Sequence, residues 1–549
     1  MSKQNESVLN IKDSASVSSK IATNTGALSV LVLVFFFWGF IAASNSILIP
    51  YCKEHFKLTQ FQSQLIGSAF YGAYFAGALV VFVISNILKK DILNIIGYKK
   101  GIIYGLLISV IGALLIIPST NANSFNAILI SQFIIALGFS LQQTCAQPFA
   151  ISLGDPSTGA HRLNLGGGIN SFGTTIGPLI ISIFLFGSIS NPTESSVSNI
   201  NNLYLIVAAF FTLVAIIFAV SKLPDGKNNE AFEQSKKASG ILLLITGIIV
   251  AASLLGQFTA VPSYILMIAI IVLLLIILFQ ANAQAKKNDT GWGAMKYPQV
   301  IYGMIAIFVY VGVEVTIDNN LGALLKQPGY FNATGLKENE SSLFISLYWG
   351  SLMIGRWTGA LSVFNLSKNT KMIAGVIVPF IAFGVILGVN HLKGNDISSL
   401  YAYSAWIVVA IIALFIGQDK PFKTLLVLCI MATIAMLIGV FTTGKMSVYA
   451  FVSGGLCCSV MWPCIFTLAI GGVGKYTGQA SALLIMMILG AAIIPPLQGA
   501  IGDTSLGLHQ SYLIAAACFL SLAFIAFKLK NILQAQGLDF DKQVENSSH

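Results

Sequence analysis

Charged side chains are scarce in this sequence: 9% of its 549 residues are Asp, Glu, Lys or Arg, whereas 56% are hydrophobic. A soluble domain carries about 25% charged residues because its surface must be wetted. Apolar runs such as 28–49, 128–153 and 264–279 carry no charge, and a lipid-spanning helix needs roughly 20 such residues. The composition therefore excludes a soluble globular protein and predicts an all-α integral membrane protein.

Several catalytic signatures are also missing. There is no Walker-type loop ending in Gly-Lys-Ser or Gly-Lys-Thr, and the five histidines form no His-x-x-x-His pair. The seven cysteines show no Cys-x-x-Cys spacing, and most fall in apolar runs, where a packing role is expected rather than a disulfide or a metal ligand. We therefore expect neither an ATP-driven pump nor a resident cofactor or metal. Residues 1–27 lack an apolar core, so no cleaved signal peptide is expected.

The net charge of +10 could suggest a nucleic acid partner, but the lysines lie in short clusters between apolar segments. Such clusters are orientation signals at a bilayer surface. With an inside N-terminus, 23 of the 30 Lys and Arg residues fall on the cytoplasmic side and 6 in outer loops. This imbalance predicts an even number of spans, cytoplasmic N- and C-termini and a multi-pass protein of the inner (plasma) membrane. We expect a bilayer environment, no nucleic acid partner and a monomer.

The apolar segments divide into two sets, with about 14 to 16 spans in total. Two six-helix bundles related by pseudo-symmetry are a common transporter plan, with substrate held near the midplane between them. The remaining spans are expected to be extra pairs, one in the linker and a second within 372–441. The predicted organisation is a tail at 1–27, a first bundle at 28–221, a linker with two extra helices at 222–297, a second bundle at 298–530 and a tail at 531–549.

A series of short strings resembles the fucose–proton symporter family of the major facilitator superfamily, including its bacterial glucose/galactose and N-acetylglucosamine permease branch. The resemblance covers nearly the whole chain apart from the extra segments and the tails. It implies the major facilitator fold and sugar transport. The strings are Phe37–Phe40, Asn45–Pro50, Ser68–Tyr71, Gln142–Phe149, Arg162–Leu165, Asn170–Gly173, Tyr310–Glu314, Gly355–Gly359, Met461–Pro463 and Ile493–Gly499.

Three positions depart from the fucose-transporting branch. That branch has an aspartate and a glutamate, tied to substrate and proton handling, where this chain has Ser46 and Gln143. Neither replacement can carry a proton at physiological pH. A glutamine of that branch is replaced by Gly167, in a run of three glycines that would either widen the pocket or let helices approach closely. Neither the fucose specificity nor that coupling mechanism therefore carries over.

Two acids stand inside one apolar span, where a charged side chain is costly. Glu314 and Asp318 are four residues apart and so share one helical face. Two close carboxylates resist simultaneous ionisation, which favours proton uptake. We predict that Glu314, with Asp318, is the ion-coupling group for H⁺ or Na⁺. The alternative is that Glu314 bonds structurally to a neighbouring helix and Asp318 lies near the outer interface.

Sugars are recognised by amide and carboxylate hydrogen bonds and by an aromatic face. Buried polar recognition is selective because an unmatched group costs about 1–3 kcal/mol. An amide in a span can instead join two helices, and an aromatic ring can be a packing residue. The polar candidates for substrate binding are Asn45, Gln143, Gln147, Asn170, Asn319, Asn320 and Gln498. The aromatic candidates are Trp38, Tyr71, Tyr348, Trp349 and Trp462.

The chain has two arginines, Arg162 and Arg356. Arg356 falls in the cytoplasmic third of its span, where it can pair with an acid or reach the interface. A gating or structural role is expected for both. Pro148, Pro463, Pro495 and Pro496 can break helices and free backbone groups for gating or binding, or they can mark ordinary helix irregularity.

The favoured function is import of a monosaccharide, a hexose or an N-acetylhexosamine, by cation symport with alternating access. One alternative is a facilitator or exchanger without ion coupling, because the two acids of the fucose branch are absent. Another is a polytopic enzyme acting on lipid-linked sugars, which would need a polar loop rich in acids or histidines. A sugar sensor would need a soluble signalling appendage. Neither of these last two features is visible in the sequence.

Overall fold

The computed structural model describes residues 22–58, 60–155, 158–186, 197–224, 233–259, 261–364 and 366–540. Within its helices, the side chains of residues 42–47, 49–50, 60–65, 68, 182, 184–186, 257 and 338–339 fall outside that description, as do residues 1–21 and 541–549 of the predicted tails. The described chain is almost entirely helical and contains no strand. The predicted all-α class is confirmed.

The chain begins with six long helices, followed by a separate pair. The six are α1 (Thr25–His55), α2 (Gln60–Leu88), α3 (Ile92–Asn121), α4 (Phe125–Ser152), α5 (Gly159–Phe186) and α6 (Val197–Val220). The pair is α7 (Lys236–Phe258) and α8 (Ser263–Lys287). We call the end of the bundle where α6 ends and α7 begins the linker end, and the opposite end the far end.

The remaining helices include several broken spans. They are α9 (Pro298–Leu325), α10 (Glu338–Ala360), α11 (Lys368–Leu392), α12 (Ser404–Gly417), α13 (Pro421–Phe441), α14 (Gly444–Cys458), α15 (Met461–Ala469), α16 (Thr477–Met486), α17 (Gly490–Gly502), α18 (Gly507–Ser511) and α19 (Leu513–Ala535). Helices α14 and α15 form one span, and α16 and α17 another.

Thirteen segments of the described chain are long and apolar enough to cross a membrane. The most apolar window of the α14–α15 span is 94% buried within the protein, whereas that of α7 is 17% buried. Because α7 is apolar and yet exposed, its surroundings must be lipid. The protein is therefore a multi-pass membrane protein, with α9 and the α14–α15 and α16–α17 spans in its centre and α7 at its periphery.

The two sets of helices repeat one packing pattern. In the first set, α3 packs on α4 and α6, and α1 packs on α5. In the second set, α13 packs on α14 and α19, and α9 packs on α17. From this correspondence we infer that α13 is the counterpart of α3. The second extra pair is then α11 and α12, which lie before it in the sequence.

Close crossings in the first set depend on small residues, as is usual between membrane helices. Gly39 of α1 lies directly against the backbone of Asn170 in α5, and a Cβ at this position would overlap the carbonyl oxygen of Asn170. Because this neighbour is backbone, it cannot move aside as a side chain would. Helices α1 and α5 therefore need glycine at position 39.

Replacing Gly39 by alanine is expected to destabilise the protein by about 1–3 kcal/mol, because overpacking forces the backbone apart. The measurement is the unfolding temperature of the purified protein in detergent. Gly72→Ala on α2 is the matched control, since no atom lies within 4 Å of its Cβ position. Equal unfolding temperatures for the two variants would contradict this account of the crossing.

The two sets are joined at the linker end. Ser481 Oγ of α16 donates to the carbonyl of Thr144 in α4 (2.8 Å), and Trp357 Nε1 of α10 donates to the carbonyl of Gly168 in α5 (3.1 Å). The linker adds a clamp, because Ser235 bonds both Asn86 of α2 and Gln479 of α16. The linker end of the bundle is therefore closed in this structure.

Candidate functional site

A cavity of about 190 Å³ lies between the two sets of helices. Its walls come from α1, α2, α4 and α5 on one side and from α9, α10, α15 and the turn between α16 and α17 on the other. We call it the central cavity. Its lining residues are Phe35, Trp38, Tyr71, Tyr74, Gln143, Gln147, Leu163, Gly167, Asn170, Tyr310, Val311, Glu314, Arg356, Trp462, Pro463 and Ile488.

Glu314 and Arg356 form an ion pair at this cavity. Arg356 Nη2 lies 3.5 Å from Glu314 Oε1, and the two side chains are 13% and 12% exposed. The Tyr310 hydroxyl donates to the same carboxylate oxygen at 2.7 Å. A charge buried to this extent persists only with a partner, because desolvation is costly. Glu314 therefore has a cationic partner, Arg356, and a hydroxyl donor, Tyr310, at the cavity.

Arg356 also crosses to the first set of helices. Its Nη1 donates to Ser171 Oγ (2.8 Å) and to the carbonyl of Gly167 (3.4 Å), both in α5. Its Nε donates to the carbonyl of Ser459 at 3.0 Å. Pro463 has no N–H with which to bond that carbonyl, four residues earlier, so the carbonyl is free to accept from Arg356. One guanidinium thus joins α10, α5 and the break between α14 and α15.

The glycine run in α5 serves close approach of helices. A Cβ on Gly167 would lie 3.1 Å from Arg356 Cδ, and one on Gly168 would lie 2.7 Å from Trp357 Cδ1. Of the two roles left open by the sequence, the structure therefore shows close packing of α10 on α5. Gly167 also lines the cavity, and the Arg356 side chain occupies the space beside it that a larger residue would fill.

Three predicted amides lie on the first-set wall of the cavity. Gln143 donates to the Tyr74 hydroxyl (3.0 Å), and Asn170 donates to the carbonyl of Phe35 (3.1 Å). Gln147 is 5% exposed, and its Oε1 has no hydrogen-bond partner. A buried acceptor left unpaired costs about 1–3 kcal/mol. Gln147 therefore offers an acceptor that a hydroxylated ligand in the cavity can satisfy.

Aromatic rings line both walls of the central cavity. Trp38 is fixed by donating to Gln142 Oε1 (2.8 Å), and Gln142 in turn donates to Ser109 (3.1 Å). On the other wall, the rings of Trp462 and Tyr310 lie 6.1 Å apart. The cavity therefore combines amides, one carboxylate, one guanidinium and flat apolar faces.

The second acid lies one helical turn nearer the far end. Asp318 is not part of the cavity lining; one of its hydrogen-bond partners is Trp349, and its Oδ1 is buried without a partner. Tyr348 donates its hydroxyl to the backbone carbonyl of Glu314 at 2.6 Å. These contacts place Asp318, Trp349 and Tyr348 beside the cavity rather than in its wall.

Three predicted amides lie outside the lining of the central cavity. Asn320 donates to Gln498 Oε1 (3.1 Å), and Gln498 donates to Ser511 (3.1 Å), a chain that joins α9 to α17 and α18. Asn319 is exposed. The side chain of Asn45 lies outside the described residues. The substrate-binding roles of these four residues stay predictions.

Arg162 has a local environment that is entirely protein. It is 1% exposed, and its guanidinium donates to the carbonyls of Ala150, Ile151 and Asp155 and to the Thr158 hydroxyl at 2.6–2.8 Å. These acceptors are the carbonyls at the end of α4 and the turn before α5. The arginine therefore ties α4 to α5, as a structural residue would.

Three residues at the site, Tyr310, Tyr74 and Gln142, were not selected from the sequence. Tyr310 bonds Glu314 and the carbonyl of Cys458 (3.1 Å), and its position four residues before Glu314 was the available signal. Tyr74 and Gln142 hold Gln143 and Trp38. Their roles depend on contacts between α1, α2 and α4, so the spacing of residues within a single helix could not predict these roles.

Comparison with known proteins places these features in a family. The model of the Major Facilitator Superfamily matches residues 30–419. A glucose/galactose transporter of Brucella abortus is 30% identical over 91% of this chain and 92% of its own length, and the L-fucose-proton symporter of Escherichia coli is 23% identical over 89% and 90%. Among solved structures, the transporter FucP in the outward conformation matches with a TM-score of 0.62 and 22% identity, over 91% of this chain and 98% of its own.

Proposed function

The chain belongs to the major facilitator superfamily, and we propose that it imports a monosaccharide by cation symport with alternating access. A hexose or an N-acetylhexosamine is the proposed substrate, and H⁺ or Na⁺ the coupling ion. The proposed location is the plasma membrane of a bacterium, with the linker end and both termini in the cytoplasm. The relatives named as glucose/galactose and fucose transporters support the substrate class.

The observation that carries the proposal is the double role of Arg356. Its guanidinium pairs with Glu314 in the cavity and at the same time bonds α5 of the opposite set. Cation binding at Glu314 would neutralise the carboxylate and weaken its attraction for Arg356. Arg356, which also bonds α5, would then be held less firmly in its present position. Charge at Glu314 and closure of the bundle are thereby linked through one side chain.

Sugar recognition is assigned to the opposite wall. Gln143, Gln147 and Asn170 present amides, and the unpaired Oε1 of Gln147 is matched to a hydroxyl donor. The rings of Trp38 and Trp462 offer faces for the C–H side of a sugar. An uncoupled facilitator would use the same wall. What favours symport is that the two acids inside apolar spans, Glu314 and Asp318, both lie at or beside the cavity.

The test is uptake of labelled hexoses and N-acetylhexosamines by proteoliposomes with an imposed pH or Na⁺ gradient. Symport predicts accumulation above equilibrium with one of the two ions. Equilibration that ignores both gradients would establish a facilitator instead. Absence of transport for every sugar in the panel would overturn the substrate class.

Replacing Gln147 by leucine is expected to raise the KM for the transported sugar about tenfold, because one hydrogen bond of about 1.4 kcal/mol is lost. Initial uptake rates over a range of sugar concentrations measure it. Gln132→Leu is the matched control, since Gln132 is a buried amide of α4 that bonds Tyr204 (2.6 Å) outside the cavity. An unchanged KM in Gln147→Leu would remove this residue from the binding site.

A further inference from the structure

A second cavity, of about 300 Å³, lies at the linker end beside the inserted pair α11 and α12. Its walls come from α5 of the first set and from α10, α11, α12, α13 and α15 of the second. We call it the lateral cavity. It shares no lining residue with the central cavity.

The inner wall of the lateral cavity presents hydrogen-bond acceptors. Asn164 is 3% exposed, and its Oδ1 has no hydrogen-bond partner. His161 is buried beside it, and its Nδ1 bonds the carbonyl of Gly359 at 2.9 Å. With Nδ1 donating to a carbonyl, Nε2 of a neutral imidazole is an acceptor. A ligand with hydroxyl donors would therefore satisfy the acceptors on this wall.

The rim of the lateral cavity is basic. Lys368 is exposed at the start of α11, and Lys371 is one turn further on. Lys371 forms an ion pair with Asp419 of the turn between α12 and α13. The lining therefore keeps one positive charge in excess, at Lys368. Such basic pockets between membrane helices at the cytoplasmic surface suit anionic lipid head groups.

The outer side of the lateral cavity faces lipid. Met372 of α11 is 57% exposed and Phe415 of α12 is 45% exposed, and both belong to the lining. An acyl chain can lie along these residues while its head group enters between α5 and α10. A purely soluble ligand would leave this apolar side uncovered.

We propose that the lateral cavity binds an anionic phospholipid whose head group carries free hydroxyl groups, of the phosphatidylglycerol class. The phosphate pairs with Lys368, and the glycerol hydroxyls donate to Asn164 and His161. The bound head group contacts helices of both sets at the end where they are closed. Because it binds that arrangement, it stabilises the closed linker end. This proposal does not depend on which sugar is carried.

The experiment uses the full-length protein in a nonionic detergent, with phosphatidylglycerol titrated and the unfolding temperature and native mass spectrum recorded. We expect saturable binding and a rise in unfolding temperature. Phosphatidylmethanol is the probe of the hydroxyl groups, because it carries the same charge without them. We expect it to bind about thirtyfold more weakly, because the hydrogen bonds to Asn164 and His161 are both lost.

Lys368→Gln is expected to weaken phosphatidylglycerol binding about tenfold, since an exposed charge contact is lost without disturbing the core. Lys287→Gln, an exposed lysine at the end of α8, is the matched control and should bind as the unaltered protein does. Equal binding by Lys368→Gln, or equal binding of phosphatidylmethanol, would overturn the proposal. Tighter binding of soluble glycerol phosphate than of the lipid would overturn the lipid as the source of the phosphate.

Discussion

Glu314→Gln is expected to abolish accumulation of sugar above equilibrium while leaving exchange of sugar across the membrane intact. At one proton per sugar, a gradient of one pH unit supports about tenfold accumulation, because one pH unit corresponds to about 1.4 kcal/mol. The variant is expected to reach a ratio of about one. Proteoliposome uptake with an imposed gradient measures the ratio, and counterflow of labelled sugar measures exchange.

The physical reason is that glutamine imitates the neutral form of Glu314. It can still accept a hydrogen bond from Tyr310, which lies 2.7 Å from the carboxylate, but it attracts Arg356 as a dipole and not as a charge. The switch between charged and neutral forms is then absent. The same argument holds for Na⁺, for which an amide oxygen is a weaker ligand than a carboxylate.

Two further variants sharpen this test. Glu54→Gln is the matched control, because Glu54 is exposed near the end of α1 and should retain full accumulation. Asp318→Asn tests the neighbouring acid. If Glu314→Gln still accumulates sugar tenfold, the coupling assignment fails. If Asp318→Asn alone loses accumulation, the coupling group lies one turn nearer the far end.

Arg356→Gln is expected to destabilise the protein by about 3–5 kcal/mol and to abolish transport, because it leaves Glu314 as an uncompensated buried charge. It also removes the bonds to Ser171, Gly167 and the carbonyl of Ser459. Thermal unfolding in detergent measures the loss of stability. Hydrogen exchange of peptides from 159–172 and 350–363 should become faster, since α5 and α10 lose their shared contact.

The double variant Glu314→Gln/Arg356→Gln separates charge from packing. Removing both partners leaves no buried charge, so stability should recover relative to Arg356→Gln alone. Exchange at the linker end should stay fast, because the bonds to α5 are still missing. Lys528→Gln, an exposed cation of α19, should change neither property. A double variant no more stable than Arg356→Gln would show that the ion pair does not determine this stability.

Much of the fold was predictable because the lipid environment restricts which segments of a sequence can span the bilayer. A backbone in hydrocarbon must satisfy its own hydrogen bonds, so spans appear as long apolar helices. The pair α7 and α8 was predicted within the linker in this way. The second pair could only be bounded within 372–441, because α11, α12 and α13 are equally apolar. The packing of α13 on α14 and α19 is the basis for our inference that it is part of the repeat.

The site was predictable at residues whose burial in a membrane span costs free energy. Glu314 and Arg356 stand out because charge inside a span is rare, and both line the central cavity. Amides gave a weaker signal, since they also join helices. Gln143, Gln147 and Asn170 line the cavity, whereas Gln498 bonds Asn320 and Ser511. The amides that line the cavity and the amide that joins helices are the same residue types. They differ only in which helix packs against them.

The sequence by itself determined that the protein lies in a lipid bilayer, that it is helical and that its spans divide into two sets. It also singled out the few charged residues inside those spans as candidates for function. Those follow from free energies of transfer, which belong to each segment alone. The tertiary structure decided that Arg356 bonds α5 across the bundle, that Pro463 frees the carbonyl it uses, and that Gly167 makes room for it. These contacts join residues far apart in the chain, so their energies exist only once the helices have packed.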